Sequence, residues 1–491
     1  MDKSKFIALM LLFVIIILSA CSNISDGPAN NISGPEENAG NTAGGDIAEE
    51  TSEEKPDIPI TDMDGKEIRI FTSGWYGFGP LAIVDIDPEE FLGEPLNDAA
   101  YTRKILIEDT YNCKIAQINV DVPAEAASAF QRSIRTQDNA YDIGVIRGDT
   151  FALLLTGGYL RELNDLEHVD FDNPWWRKKA FDALALGGKH YGVCGDMSTN
   201  EMMTVPIVCF NKGIVQDHAL ESPYMLVETG EWTFDKAVEM AKQIARDLNG
   251  DGKMTIEDLW GILYTHDEIS SILQSGGVGY IELEPGGIPQ IAFDSAANIS
   301  RMQNIFEKIF DETYSGNLTV RLAGGGDIFG EQRCLFWFAG THRVNALRQM
   351  DVDFGIIPYP KYSRDQEYRP HVIGRFVPVI CVPSTNPDMG NTGLFMEAFA
   401  YEGNKSIIPV FYETILQGKV VRDDESADMI DFIFGNLHYD AGSLLNVGNM
   451  AIAIDEMSVT LNMNIASFVE KNKPNFERAL KKIMDEIEKN N

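Results

Sequence analysis

An α/β fold is predicted for residues 58–491. Strand-like and helix-like stretches alternate from residue 67 onward, at a spacing that fits strand–helix–strand units and largely parallel sheets covered by helices. The segment is also long enough for two or more domains with their own cores. No internal repeat breaks the alternation.

The elements follow in order. After the turn Asp64-Gly65-Lys66, EIRIFT (67–72) predicts the first strand. A helix is predicted around 97–111, a strand over KIAQINV (114–120) and a helix over 124–136. YDIGVIR (141–147) reads as a strand and 150–155 as the next helix. Further on, Thr233 is placed as the N-cap of a helix whose apolar stripe is Ala237, Met240, Ala241 and Ile244. Residues 353–358 read as a short buried strand stopped by Pro358. At the C-terminus a helix over 474–490 carries Phe476, Leu480, Ile483 and Ile487 on one face.

The N-terminus has a different chemistry. Lys3 and Lys5 precede an apolar run over 6–18, and Leu18-Ser19-Ala20-Cys21 follows. A basic head, a short apolar core and small residues before a cut describe an export signal over 1–20, because the run is too short for a membrane span. The last four residues resemble a bacterial lipobox. That resemblance implies a diacylglyceryl group on Cys21 and a mature chain that begins there, held to the membrane by its acyl chains. Residues 21–57 contain no aromatic residue and only three isoleucines. Such a segment buries too little to offset its ordering entropy, so a disordered acidic stalk is expected, spanning roughly 30–36 Å.

Charge and cysteine usage narrow the partners. The chain carries −35; the signal contributes +1 and the stalk −8, leaving about −28 on the body. That sign repels nucleic acid, which is excluded as a partner, and favours a soluble monomer. Besides Cys21 there are Cys113, Cys194, Cys209, Cys334 and Cys381, an odd number, so at least one is unpaired. Motifs for a nucleophile elbow, a P-loop, a dinucleotide fingerprint or a zinc protease are absent, and the seven histidines are scattered. A binder is favoured over an enzyme.

One motif suggests a metal. DLNGDGKMTIED (247–258) places Asp247, Asn249 and Asp251 at positions 1, 3 and 5, Lys253 at 7 and Asp258 at 12. Alternate oxygen side chains, a glycine at position 6 and a carbonyl at 7 fit the EF-hand pattern for structural Ca²⁺, with aspartate replacing the final glutamate. The competing reading is a polar turn between helices.

Several runs together resemble family 1 of the extracellular solute-binding proteins, the lipoprotein receptors that feed bacterial ABC importers, chiefly for sugars. The runs are GGYLRELNDLEHVDFDNPWW (157–176), GGKHYGVCGDMS (187–198), VCFNKGIV (208–215), 221–244, the 247–262 stretch and FGIIPYPKY (354–362). The resemblance implies a two-lobe, periplasmic-binding-protein-like clamshell of type II, each lobe a largely parallel sheet flanked by helices. Lobe 1 is assigned to 58–165 with 330–380 returning to it, and lobe 2 to 166–329 with 381–491 returning largely to it. It implies a carbohydrate held in the cleft, passed unaltered to permease subunits at the outer face of the cell membrane.

A sugar site wants aromatic platforms beside carboxylates and amides, and open α/β sheets bind ligand at the carboxyl ends of their strands. That rule selects Trp75, Tyr76, Asp149, Asp196, Met197 and Trp337. Trp176 is added from the Trp175–Trp176 pair, one of which is expected in the core. Arg375 is either a cleft donor or part of a surface ion pair. Trp232 is expected to staple its helix and Trp260 to pack beside the 247–258 loop. Rival readings are a receptor for another solute, a sensor accessory and a surface glycosidase with paired carboxylates.

Overall fold

The computed structural model describes residues 55–73, 85–164, 166–264, 268–310, 317–319, 325–344, 347, 351–416, 423–460 and 464–489. The expected signal, the stalk to residue 54, Cys21, Trp75 and Tyr76 lie outside the described residues.

The first sheet grows from the N-terminal alternation. Strand β1 (Lys66–Ser73) pairs in parallel with β2 (Cys113–Val120) and with β3 (Ile143–Arg147). Between them run helices α1 (Pro95–Tyr111) and α2 (Pro123–Thr136), and α3 (Gly148–Leu155) follows β3. Both long helices begin slightly earlier than the apolar pattern indicates, because Pro95 and Pro123 occupy first-turn positions where a missing N–H costs nothing. Both end on residues in the left-handed region, Asn112 (φ 46°) and Gln137 (φ 56°).

A second sheet is built later in the chain. Its order is β10–β4–β9–β5–β8, formed by Phe354–Ile357, Pro206–Asn211, Cys334–Gly340, Trp260–Tyr264 and Asn317–Thr319. Here β5 is parallel to β9 and β8, whereas β4 runs antiparallel to β9 and β10. A small hairpin, β6 (Ile281–Glu284) with β7 (Ile288–Ile291), stands apart. Every residue of β3, β4, β5 and β9 is buried, as expected for strands covered on both faces.

The return of the chain differs from the expected division. Residues 334–340 and 354–357 pair within the second sheet. Only β11 (Pro378–Cys381) comes back to the first, antiparallel to β3. The helix Met389–Glu402 also stays with the first sheet, burying Leu394, Phe395 and Phe399 in the core that holds Ile68 and Ile115. Strand pairing decides this, and pairing between distant segments leaves no local trace.

Two later helices close the second lobe. Met450–Thr460 and Ile465–Lys489 bury Met450, Ile454, Ile465 and Phe468 with Ile262 of β5. The C-terminal helix is longer than expected and passes through Pro474, with the forecast stripe Phe476, Leu480, Ile483 and Ile487 buried. The Thr233 cap is present: its side chain accepts from the Lys236 N–H at 3.3 Å, ahead of the helix Phe234–Ile244.

Candidate functional site

The carboxyl end of β3 feeds directly into α3, so Arg147 and Asp149 stand at the mouth of the first sheet. They form a two-point ion pair, Nη2 to Oδ2 at 2.6 Å and Nε to Oδ1 at 3.1 Å. Asp149 lies in the first turn of α3, where the helix dipole favours a carboxylate.

Beside it opens a cavity of about 450 Å³ between the starts of α2 and α3 and the segments 445–452 and 475–483. Its walls are largely apolar, with Leu153 and Ile452 partly open to solvent. Asp149, Asn446, Asn449, Asn475 and Lys482 add polar groups. A concave apolar surface with a few converging polar groups is what a small-molecule site requires. Asn446 and Asn449 reach it because Asn446, Gly448 and Asn449 all take left-handed backbone angles (φ 43°, 61° and 63°). The Asn446 side chain secures that turn by accepting from the Ala451 N–H at 3.1 Å.

Of the residues selected from the sequence, Asp149 alone lines this cavity among the described residues. Asp196 is 2 % exposed and belongs to a different one, of about 350 Å³, with Glu201, Asn404 and Tyr412. There it is ion-paired to Arg177 and accepts from Asn404 Nδ2 at 2.8 Å. Arg177 also donates from Nε to Glu201 at 2.9 Å, and the Tyr439 hydroxyl donates to the same carboxylate at 2.5 Å. Burial pushes the Glu201 carboxyl up, and the Arg177 charge opposes it. This knot is fully hydrogen-bonded and reads as a structural joint.

Three selections are corrected. Trp176 is buried, its indole N–H donating to Glu397 at 2.8 Å; like Trp175, it is core. Met197 has no exposed surface. Trp337 sits inside the seven-residue buried strand β9, against Phe329 at 5.8 Å. Arg375 resolves as a buried ion pair, Nη1 to Asp455 Oδ2 at 2.7 Å. Trp232 packs in the core and donates to the Pro358 carbonyl at 2.9 Å, while Trp260 donates to the Thr255 carbonyl of the 247–258 loop at 2.7 Å.

In that loop the carboxylates are turned onto its own backbone. Asp247 accepts from the N–H groups of Gly250 and Gly252 at 2.6 and 2.7 Å, and Asp258 from those of Leu248 and Thr255 at 2.9 and 2.6 Å. Asn249 and Asp251 accept from Asp251 N–H and Lys253 N–H. Among the described residues, no three His, Cys, Asp or Glu side chains gather closely enough to hold an ion.

Sequence reasoning missed Asn446, Asn449, Asn475 and Lys482. The Asn-Val-Gly-Asn run at 446–449 was the available signal, since asparagine and glycine mark left-handed turns.

No family model matches the chain, and no curated protein matches it. Solved structures do. An ABC substrate-binding protein of Listeria monocytogenes in complex with cycloalternan has 14 % identity and TM-score 0.53, over 85 % of this chain and 100 % of its own. The chain has the fold of the ABC solute-binding proteins. This two-lobe fold is shared with a cyclo/maltodextrin-binding protein complexed with maltotetraose (14 %, TM-score 0.55, 89 % and 98 % covered). The maltose-maltodextrin binding protein of Alicyclobacillus acidocaldarius is similar too (11 %, TM-score 0.54, 84 % and 100 % covered). Among the described residues, no helix of this solute-binding fold is long and apolar enough to cross a membrane.

Proposed function

We propose that this protein is a carbohydrate receptor that captures a sugar between its two lobes and hands it, unaltered, to the permease of an ABC importer. The supporting observation is a fold shared almost end to end with sugar-binding proteins of such importers. The lipobox-like Leu18-Ser19-Ala20-Cys21 supports a lipid anchor at the outer face of the cell membrane, with the acidic 21–57 stalk holding the body clear of it. A soluble monomer of strong negative charge suits a neutral solute and no nucleic acid.

A thermal-shift screen over mono- and oligosaccharides tests the reading. A sugar at a hundredfold above its Kd should add about 2.7 kcal/mol of stability. Asp149→Ala should weaken that hit without unfolding the protein, since Asp149 lines the open cavity. Shortened oligosaccharides after incubation would replace the receptor with a glycosidase, and flat curves across all sugars would remove the carbohydrate.

The 247–258 loop is kept as a structural calcium loop on its spacing of oxygen side chains. Binding would turn Asp247, Asn249, Asp251 and Asp258, with the Lys253 carbonyl, from backbone N–H donors toward the ion. Calcium should then raise the melting temperature and a chelator reverse it, with Trp260 fluorescence reporting the change. Identical melting in calcium and in chelator would strike the ion from the account.

A further inference from the structure

Asn249-Gly250 is the only Asn-Gly step in the sequence, and both residues are exposed in the 247–258 loop. Asparagine is a thermolabile residue. Its side-chain amide can be attacked by the backbone nitrogen that follows, most readily when that nitrogen belongs to glycine and no Cβ crowds the ring that forms. Here the room exists. A Cβ built on Gly250 would meet no atom within 4 Å, and its φ of 75° lies in the region that glycine enters without steric cost.

The contacts around this step supply the parts that the attack needs. The nucleophile is the Gly250 nitrogen, and its N–H donates to Asp247 Oδ1 at 2.6 Å. A carboxylate therefore already sits on the proton that must leave, in reach to act as general base. The electrophile is Asn249 Cγ, whose Oδ1 accepts from the Asp251 N–H at 2.9 Å. That donor faces the oxygen on which negative charge develops as the carbon becomes tetrahedral. Asp247 is itself held in position, because its Oδ2 accepts from the Gly252 N–H at 2.7 Å. Base, nucleophile, electrophile and oxyanion donor all come from residues 247–251.

We propose that Asn249 is a self-modification site, at which the Gly250 nitrogen closes on Asn249 Cγ with Asp247 as the base and the side-chain amide is lost. The Cγ–Nδ2 bond breaks as the new N–Cγ bond forms. The proton that Asp247 takes from Gly250 passes to the departing nitrogen, which leaves as ammonia, and nothing is oxidised or reduced. Water then opens the cyclic imide at either carbonyl and leaves aspartate or isoaspartate at position 249. Aspartate adds a negative charge beside Asp247 and Asp251, and isoaspartate lengthens the backbone inside the turn. No sugar takes part, so the inference stands or falls apart from the receptor reading.

Incubating the full chain at neutral pH in chelator, which keeps the carboxylates on the loop backbone, tests it. Trypsin cuts after Arg246 and Lys253 and releases 247–253 as one peptide. Mass spectrometry of that peptide reads the change from amide to acid, and zero-time samples subtract conversion during digestion. Asn249 should convert about tenfold faster in the folded chain than in a synthetic 247–253 peptide, where the reacting groups are not held together. Asp247→Asn, which keeps the shape and removes the base, should slow the folded chain about tenfold. An amide that stays intact, or a folded rate no higher than that of the peptide, would overturn the proposal. An undiminished rate in Asp247→Asn would overturn it as well.

Discussion

Arg177→Ala should destabilise the protein by about 3–5 kcal/mol, the loss expected when one partner of a buried ion pair is removed. The Arg177 side chain is itself 23 % exposed, but it serves Asp196 and Glu201, whose side chains are 1 % and 2 % exposed. Without it, one hydroxyl from Tyr439 and one amide from Asn404 remain against two buried charges. The pH dependence separates this from a simple packing loss. Burial already raises the folded Glu201 pKa above its unfolded value, with Arg177 opposing, so losing the arginine raises it further. A raised carboxyl gives stability that is fully present at low pH and lost as pH rises through the folded pKa. The gap between variant and parent should therefore narrow from pH 7 to pH 5.5. Urea midpoints at the two pH values measure it, and a gap that is constant or widens would refute the account. Arg177→Lys should fall between, keeping the charge without the fork.

That knot also shows where the sequence stops being informative. Strand and helix periodicity reads out β1 to α3 almost residue by residue, because those elements are local and their apolar spacing is set by one covering face. The lipobox-like run and the Thr233 cap are local as well. What CLFWFAG does is not. It follows the pattern of a strand whose loop faces a ligand, yet with both faces covered its Trp337 is packing, and its placement depends on a pairing with Pro206–Asn211 more than a hundred residues away. Asp196 was selected as a loop carboxylate at the carboxyl end of a strand, but Arg177, which pairs with both Asp196 and Glu201 and so defines its role, meets it only in the folded chain. The open cavity draws Asp149 from one lobe and Asn446, Asn449 and Asn475 from another part of the chain, so no single window contains the site. The fold was legible in outline, and of the residues around the open cavity only Asp149 was.

Acidification from pH 7 to pH 4 should remove about 3 kcal/mol of stability through His371 alone. His371 is 5 % exposed, on the segment that leads to β11; its Nδ1 faces the Arg369 carbonyl at 3.1 Å, and its Nε2 has no hydrogen-bond partner among the described residues. Burial brings its pKa down to about 4; the Arg369 carbonyl resists, while the charges of His438 and Arg369 push the same way as burial. His438, paired with it across an isolated bridge, is lowered too, by burial and then by Arg369. Asp440 and Glu282 line the same 140 Å³ cavity, and Asp440, raised by burial, titrates in the opposite sense. For a histidine lowered from its unfolded value near 6.5, the contribution is complete above that value and is lost as pH falls toward 4. The clean quantity is thus the difference between parent and His371→Gln, followed by urea denaturation at half-unit steps over that window, which cancels the carboxylates common to both. The parent should lose stability faster, by about 3 kcal/mol across the window. Parallel curves would mean that His371 charges freely within the folded chain.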